Sequence, residues 1–326
     1  MKHLCFLFMF LPLLSFSQGV KTYKAENQGY FSTPKFTEAG IVLTTNHSSK
    51  LLLLKNGNME NLFTAPGCGK YFNVSPNKIK VGFKLIKKDG SQVPAILNLE
   101  NKTVKKLHKP VKLCGQVSFS KNGKLSYTIK NQLIVHSKKT VKKYDLGVYS
   151  NIAPLSPNGK YVVFNNSKDQ LFLINLNTGS KTIITKNQHT GMKPVWSHDS
   201  KKIAYSSLSG DIFVYHIPTQ KNHKIGYGEN PAWGKQSRQI YYTKLERKNM
   251  KFYNSDIARS HFTGKRSSMI TNTEDKFERE AAINKEGEIV YHLYTDRKII
   301  KAETSAKGIK NKKVLYAKDS KAKIKD

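Results

Sequence analysis

One short turn returns along this chain at a spacing that only a repeat architecture explains. Its clearest copy is Ser156-Pro157-Asn158-Gly159, inside the segment 152–185. Three short runs rich in β-branched and aromatic residues follow it, at 161–165, 171–176 and 181–185, and the small polar clusters between them read as hairpin turns. A second copy opens at Val195-Trp196-Ser197-His198-Asp199 and continues through 203–207, 212–217 and 221–227. Aligning on the Ser156 position gives Thr37, Ser75, Ser120, Ser156, Ser197, Gly234 and Asn284, spaced 36 to 50 residues apart. Each interval has room for an inner run and three more, close to the period of about 40–45 residues of a four-stranded propeller blade.

Helical periodicity is nearly absent from these windows, so the chain reads as all-β. A length of 326 residues would otherwise suggest two domains; the repeat spreads one fold over most of it. Hydrophobic residues at 38% and aromatics at 10% supply a large core and argue against disorder. The expected architecture is a β-propeller of four-stranded antiparallel blades over 34–316, with seven blades from seven anchors. Six is the alternative, because the copies turning at Gly40 and Gly287 are degenerate and one would then only complete the ring. Closure protects the edge strands of the first and last blades. The lead 19–33 contains a segment, 20–24, suited to latch the ring as a closing strand, and 317–326 reads as a basic tail.

Residues 1–18 carry Lys2 and His3, an apolar run over 4–14 and small residues at Ser15 and Ser17. The run is too short for a hydrocarbon core of about 30 Å and has the layout of a secretory signal. Cys5 precedes the run rather than following it, so it is not a lipidation site. No other apolar stretch is long enough to span a membrane. The expectation is an exported monomer in the periplasm or outside the cell, with no transmembrane segment after cleavage.

The segments 154–164 (PLSPNGKYVVF) and 195–207 (VWSHDSKKIAYSS) resemble the repeat of TolB-like, WD-related propellers of the bacterial envelope. The resemblance extends over about 34–316, fading in the first and last copies, and the turn is eroded at Ala232-Trp233-Gly234-Lys235-Gln236. It implies a propeller fold; its residues set turns and core packing, so it does not imply a function.

Propellers bind ligands where loops gather around the channel. Here those loops are 64–71, 109–116, 147–152, 186–193, 226–231 and 272–281. They supply Lys70, Tyr71, Lys112, Tyr149, His189, Tyr227, Glu229, Glu278 and Arg279 as candidate binding residues. No HExxH, calcium loop, phosphate loop or Gly-x-Ser-x-Gly elbow occurs, so no catalytic residue, metal or cofactor is expected. Trp196-Ser197-His198-Asp199 brings three triad residue types together, but neighbours on one tight turn do not converge as a triad.

Lys and Arg number 56 against 22 Asp and Glu, a net charge of +34 that the leader, with Lys2 alone, hardly changes. Such a surface attracts polyanions. Export turns the expectation from nucleic acid toward an envelope protein or an anionic glycan. The leading reading is a non-enzymatic binding or scaffold module; the alternative is a propeller lyase or hydrolase acting on an anionic polysaccharide. Cys68 and Cys114 precede neighbouring anchors by seven and six residues. In an oxidising compartment they form a candidate disulfide, set against two free thiols on separate loops.

Overall fold

The computed structural model describes residues 30–318 apart from 46, 139, 186–189, 249–250 and 275; the leader, the 20–24 segment and residues 319–326 lie outside it. Seven antiparallel sheets follow one another at 31–64, 73–106, 118–145, 161–183, 192–227, 229–269 and 278–317. They are blades 1 to 7 of a propeller, and the copies turning at Gly40 and Gly287 each build a complete sheet. No helix occurs among the described residues, so none there is long and apolar enough to cross a membrane.

In six blades an inner strand, two middle strands and an outer strand pair in chain order. Blade 4 keeps three strands, and its inner strand shrinks to a single bridge between Leu155 and Val162. Pro154 and Pro157 flank that bridge and bring no N–H to a ladder, while Leu155 N donates to Ser118 Oγ of blade 3 at 2.9 Å. Middle strands are buried on both faces because each blade is packed between two others. Ile41–Thr45 is buried at all five positions. Outer strands face solvent and carry the lysine pairs, as Thr140–Asp145 does with Lys142 and Lys143.

In the four blades whose anchor is serine the repeated turn has one construction. Its first serine donates to the side chain two residues on: Ser75 to Asn77 (2.6 Å), Ser120 to Asn122 (2.5 Å), Ser156 to Asn158 (2.7 Å) and Ser197 to Asp199 (2.6 Å). Ser197 and Asp199 are therefore spent on the turn. Successive turns are also stitched together, Asn158 N to Ser200 Oγ at 2.9 Å and Asp199 N to Ser237 Oγ at 3.3 Å.

Seven apolar clusters lie between adjacent blades. Phe72 and Phe83 sit in the first, Trp196 and Tyr205 between blades 4 and 5, and Trp233 and Tyr242 between blades 5 and 6. The cluster of Leu43, Leu54, Val290 and Ile299 joins blade 7 to blade 1 and closes the ring. Among the described residues no strand is exchanged across that junction; the latch read at 20–24 lies outside them.

Cys68 and Cys114 are two separate free thiols, so the candidate bridge is not formed. Cys68 Sγ donates to Ser49 O at 3.2 Å inside the blade 1–2 core. Cys114 pairs by its backbone with Ile129 of blade 3. Corresponding connections of successive blades serve different inter-blade interfaces, and the body of a blade stands between them.

Candidate functional site

The inner strands surround a channel of about 920 Å³, and every blade contributes to its wall. All inner strands run the same way, so their beginnings form one mouth, here the upper, and the repeated turns form the lower.

Four inner strands are bulged at the same level. Register shifts fall between Ser32 and Lys35, Met192 and Val195, Glu229 and Ala232, and Arg279 and Ala282. Inside each bulge stands a left-handed residue other than glycine: Thr33 (φ 54°), Lys193 (φ 49°), Asn230 (φ 53°) and Glu280 (φ 57°). All four line the channel. A left-handed non-glycine residue costs about 1–2 kcal/mol, so the ring of blades holds these side chains at the lumen against their local preference.

The upper mouth carries an ordered charge network between blades 6, 7 and 1. Arg279 pairs with Glu229 through its Nη2 and, at 3.0 Å, through Nε. Its guanidinium lies 5.5 Å above the Tyr294 ring, whose hydroxyl donates to Phe31 O at 3.3 Å. Burial pushes the Tyr294 phenol up to about 12. Glu280 accepts from Thr33 N. Burial raises its carboxyl above the usual range, while the Thr33 N–H, Arg279 and Lys193 pull the other way.

Lys70 and Tyr71 complete the upper mouth, with Lys70 Nζ 5.4 Å from the centre of the Tyr71 ring. Gly69 precedes them because nothing larger fits: a Cβ there would lie 1.8 Å from Thr44 Oγ1. Gly115 meets Thr128 Oγ1 in the same way at 2.2 Å. Lys35 stands between the mouths, half-buried in the wall with its amine 5.6 Å from the Phe72 ring centre. The lower mouth is set by turn residues, among them Lys78, Lys121, His198, Lys235 and Lys285. Among the described residues seven lysines and one carboxylate line the channel.

The sequence candidates divide on this geometry. Lys70 and Tyr71 are in the wall; Glu229 and Arg279 form the ion pair beside the wall residues Asn230 and Glu280. Glu229, Glu278 and Arg279 lie on inner strands rather than in loops. Lys112, Tyr149 and Tyr227 stand outside the channel wall. The Tyr149 hydroxyl is shared between Cys114 O at 2.9 Å and Asn151 Oδ1 at 3.1 Å, beside the buried Lys84, whose amine reaches the same two acceptors. Tyr227 packs its ring against Gly210. Glu278 is buried between blades 6 and 7 near Asp256 and Thr271, and burial raises it to about 6. His189 lies outside the described residues. Among the described residues no group of three or more His, Cys, Asp or Glu is placed to hold a metal ion.

Thr33 and Lys35 lie outside the loops marked from sequence. Lys193, Asn230 and Glu280 fall within the loops 186–193, 226–231 and 272–281, where the run 274–280 is a candidate but Lys193 and Asn230 are not singled out. A signal for the bulges exists in the sequence. Pro34, Pro194 and Pro231 each stand three residues before the blade anchor, and the residue before each is the left-handed one; Ala281 takes that place in blade 7.

No known protein family and no curated protein matches the chain by sequence. Solved structures match its fold. TolB from Acinetobacter baumannii aligns over 78% of this chain and 65% of its own, with 16% identity and a TM-score of 0.51. The β-propeller domain of Cps50 (Swd1) from Myceliophteria thermophila aligns over 74% of this chain and 85% of its own, at 14% identity and a TM-score of 0.54. A prolyl endopeptidase aligns over 87% of this chain at 13% identity and a TM-score of 0.57. The chain spans half the length of that endopeptidase and 31% of the tricorn protease, which it also matches. The fold is a TolB-like seven-bladed β-propeller.

Proposed function

We propose that this propeller is an exported, non-enzymatic binding module of the bacterial envelope, and that its upper mouth engages an anionic protein or glycan. The observation that carries this reading is the upper mouth itself. Lys70, Lys193, Tyr71 and the Glu229–Arg279 pair stand on bulged strands and tight connections that packing holds rigid. Rigid presentation of charge and aromatic surface lowers the ordering cost of binding. The leader read at 1–18 and the net charge of +34 support export and an anionic partner. The peptidases among the structural matches share with this chain a part of their own length, and the likeness speaks for fold alone.

The test is equilibrium binding of the leaderless chain to polygalacturonate, with neutral dextran as control, at 50 and 300 mM salt. Three or four neutralised charges give a loss of about a hundredfold across that range. Lys70→Gln with Lys193→Gln should weaken binding at the lower salt about tenfold. Equal affinity for dextran, or release of unsaturated or shortened sugar from the polymer, would overturn the reading.

A further inference from the structure

The acidic and basic groups of the chain are unevenly distributed between its channel and the rest of its surface. The one carboxylate among the described residues of the channel wall, Glu280, is engaged by Thr33 N. Among the described residues Lys35, Lys70, Lys78, Lys193 and Lys235 take part in no ion pair, and neither do outer lysines such as Lys142 and Lys143, while Lys102, Lys224, Lys301 and Lys310 are each paired with an acid. What sets the channel apart is seven lysines gathered on one cavity with a single carboxylate among its described lining residues. Lys121 turns its amine to His198 O at 3.2 Å, and Lys285 has only Glu286 at 3.6 Å. Lysines therefore line one cavity of about 920 Å³ at three levels, within the size range of small-molecule sites.

Lys35 is the inner element of this set. It is half-buried in the channel wall, with its amine 5.6 Å from the centre of the Phe72 ring. Enclosure lowers the amine from its ordinary value to about 8. Phe119 and Trp196 add apolar atoms to the same wall.

We propose that the channel is a site for one compact polyanion, a molecule or end group bearing several phosphate or carboxylate groups, seated on Lys35 between the amines of the two mouths. The proposal rests on the charge-led reading above and deepens it, placing the anionic group inside the ring rather than across its rim. Anionic oxygens would take donors from Lys35 at the centre and from Lys193 or Lys121 toward either end. Charge-assisted contacts of this kind gain strength where the wall restricts water.

Titration calorimetry of the leaderless chain with sodium tripolyphosphate, and separately with citrate, tests it. One molecule should bind per chain, and Lys35→Met, which keeps length and removes charge, should weaken binding at least tenfold. Lys142→Met with Lys143→Met on an outer strand should leave it unchanged. A second readout guards against a Lys35 variant that fails to fold: tripolyphosphate should shield Lys35 of the native chain from acylation, read by mass spectrometry. Displacement of tripolyphosphate by polygalacturonate identifies a polymer end group as the source of the anion; failure to displace it identifies a free small molecule. Several weak equivalents that survive Lys35→Met, or no binding, would overturn the proposal. Retained polymer binding under either result would leave the rim reading standing.

Discussion

His292 Nδ1 lies 2.8 Å from Phe31 O, a contact spanning 261 positions of sequence that ties the last blade to the first inner strand. The same device recurs between other blades: Thr128 Oγ1 donates to Ser150 O at 2.8 Å, and Lys84 Nζ to Cys114 O at 3.1 Å. Each uses a polar residue near the upper end of a blade's second strand to hold the start of the next blade. At the ring junction it works beside the Leu43–Val290 cluster. His292→Ala should therefore lower stability to urea by about 1–3 kcal/mol, the range for a buried group left without its partner. His292→Asn, with a donor near the same position, should recover part of that loss. Equal stability of all three proteins would remove the contact from the account of closure.

Gly69 marks a second constraint at the upper mouth. A methyl there meets Thr44 Oγ1 and Thr44 Cβ, at 1.8 and 2.6 Å, and Thr44 Oγ1 is itself committed to Lys50 O at 2.8 Å. Gly69→Ala should destabilise by about 1–3 kcal/mol, as overpacking does. Adding Thr44→Gly should return part of it. If thermal melts of Gly69→Ala and the parent coincide, the close approach does not set the position of Lys70 and Tyr71.

The channel's blades were legible because the repeated turn needs Ser, Asn or Asp and Gly at fixed places, so its chemistry shows in sequence. Blade 4 lost its inner strand to Pro154 and Pro157, visible beforehand as residues but not as a lost ladder. The mouth was legible only in part. Lys70 and Tyr71 reach the lumen, yet Tyr149 turns to Cys114 O and Tyr227 to Gly210, since loop position does not fix side-chain direction. Lys35 carries no local signal; its character comes from enclosure by strands remote in sequence.

Glu278 gives the fold a pH dependence of known sign. Burial, opposed by Thr271 and reinforced by the charge of Asp256, raises its carboxyl from 4.5 to about 6. The fold thus favours the protonated form, so this contribution to stability is present below pH 4.5 and lost as pH rises through about 6. Glu278→Gln should stabilise the protein by about 2 kcal/mol at pH 7.5 and have little effect at pH 4. Urea midpoints at the two pH values decide it; destabilisation at pH 7.5 would mean that the ionised carboxylate has a favourable partner.

Cys68 and Cys114 should count as two thiols per leaderless chain in denaturant without reductant, and as none in the native state. Burial raises both thiols, Cys114 to about 11, so neither is a ready nucleophile in the fold. A count of zero in denaturant would establish the bridge that the structure does not form.

The central claim, that an anionic partner is engaged at the channel rather than spread over a basic surface, is most directly tested by lysine footprinting. The leaderless chain would be acylated with and without saturating polygalacturonate, and each lysine quantified by mass spectrometry. The account predicts protection of Lys70 and Lys193 at the upper mouth, with Lys142 and Lys143 on the outer strand of blade 3 reacting as before. Protection confined to the outer strands, or shared equally by all lysines, would contradict it.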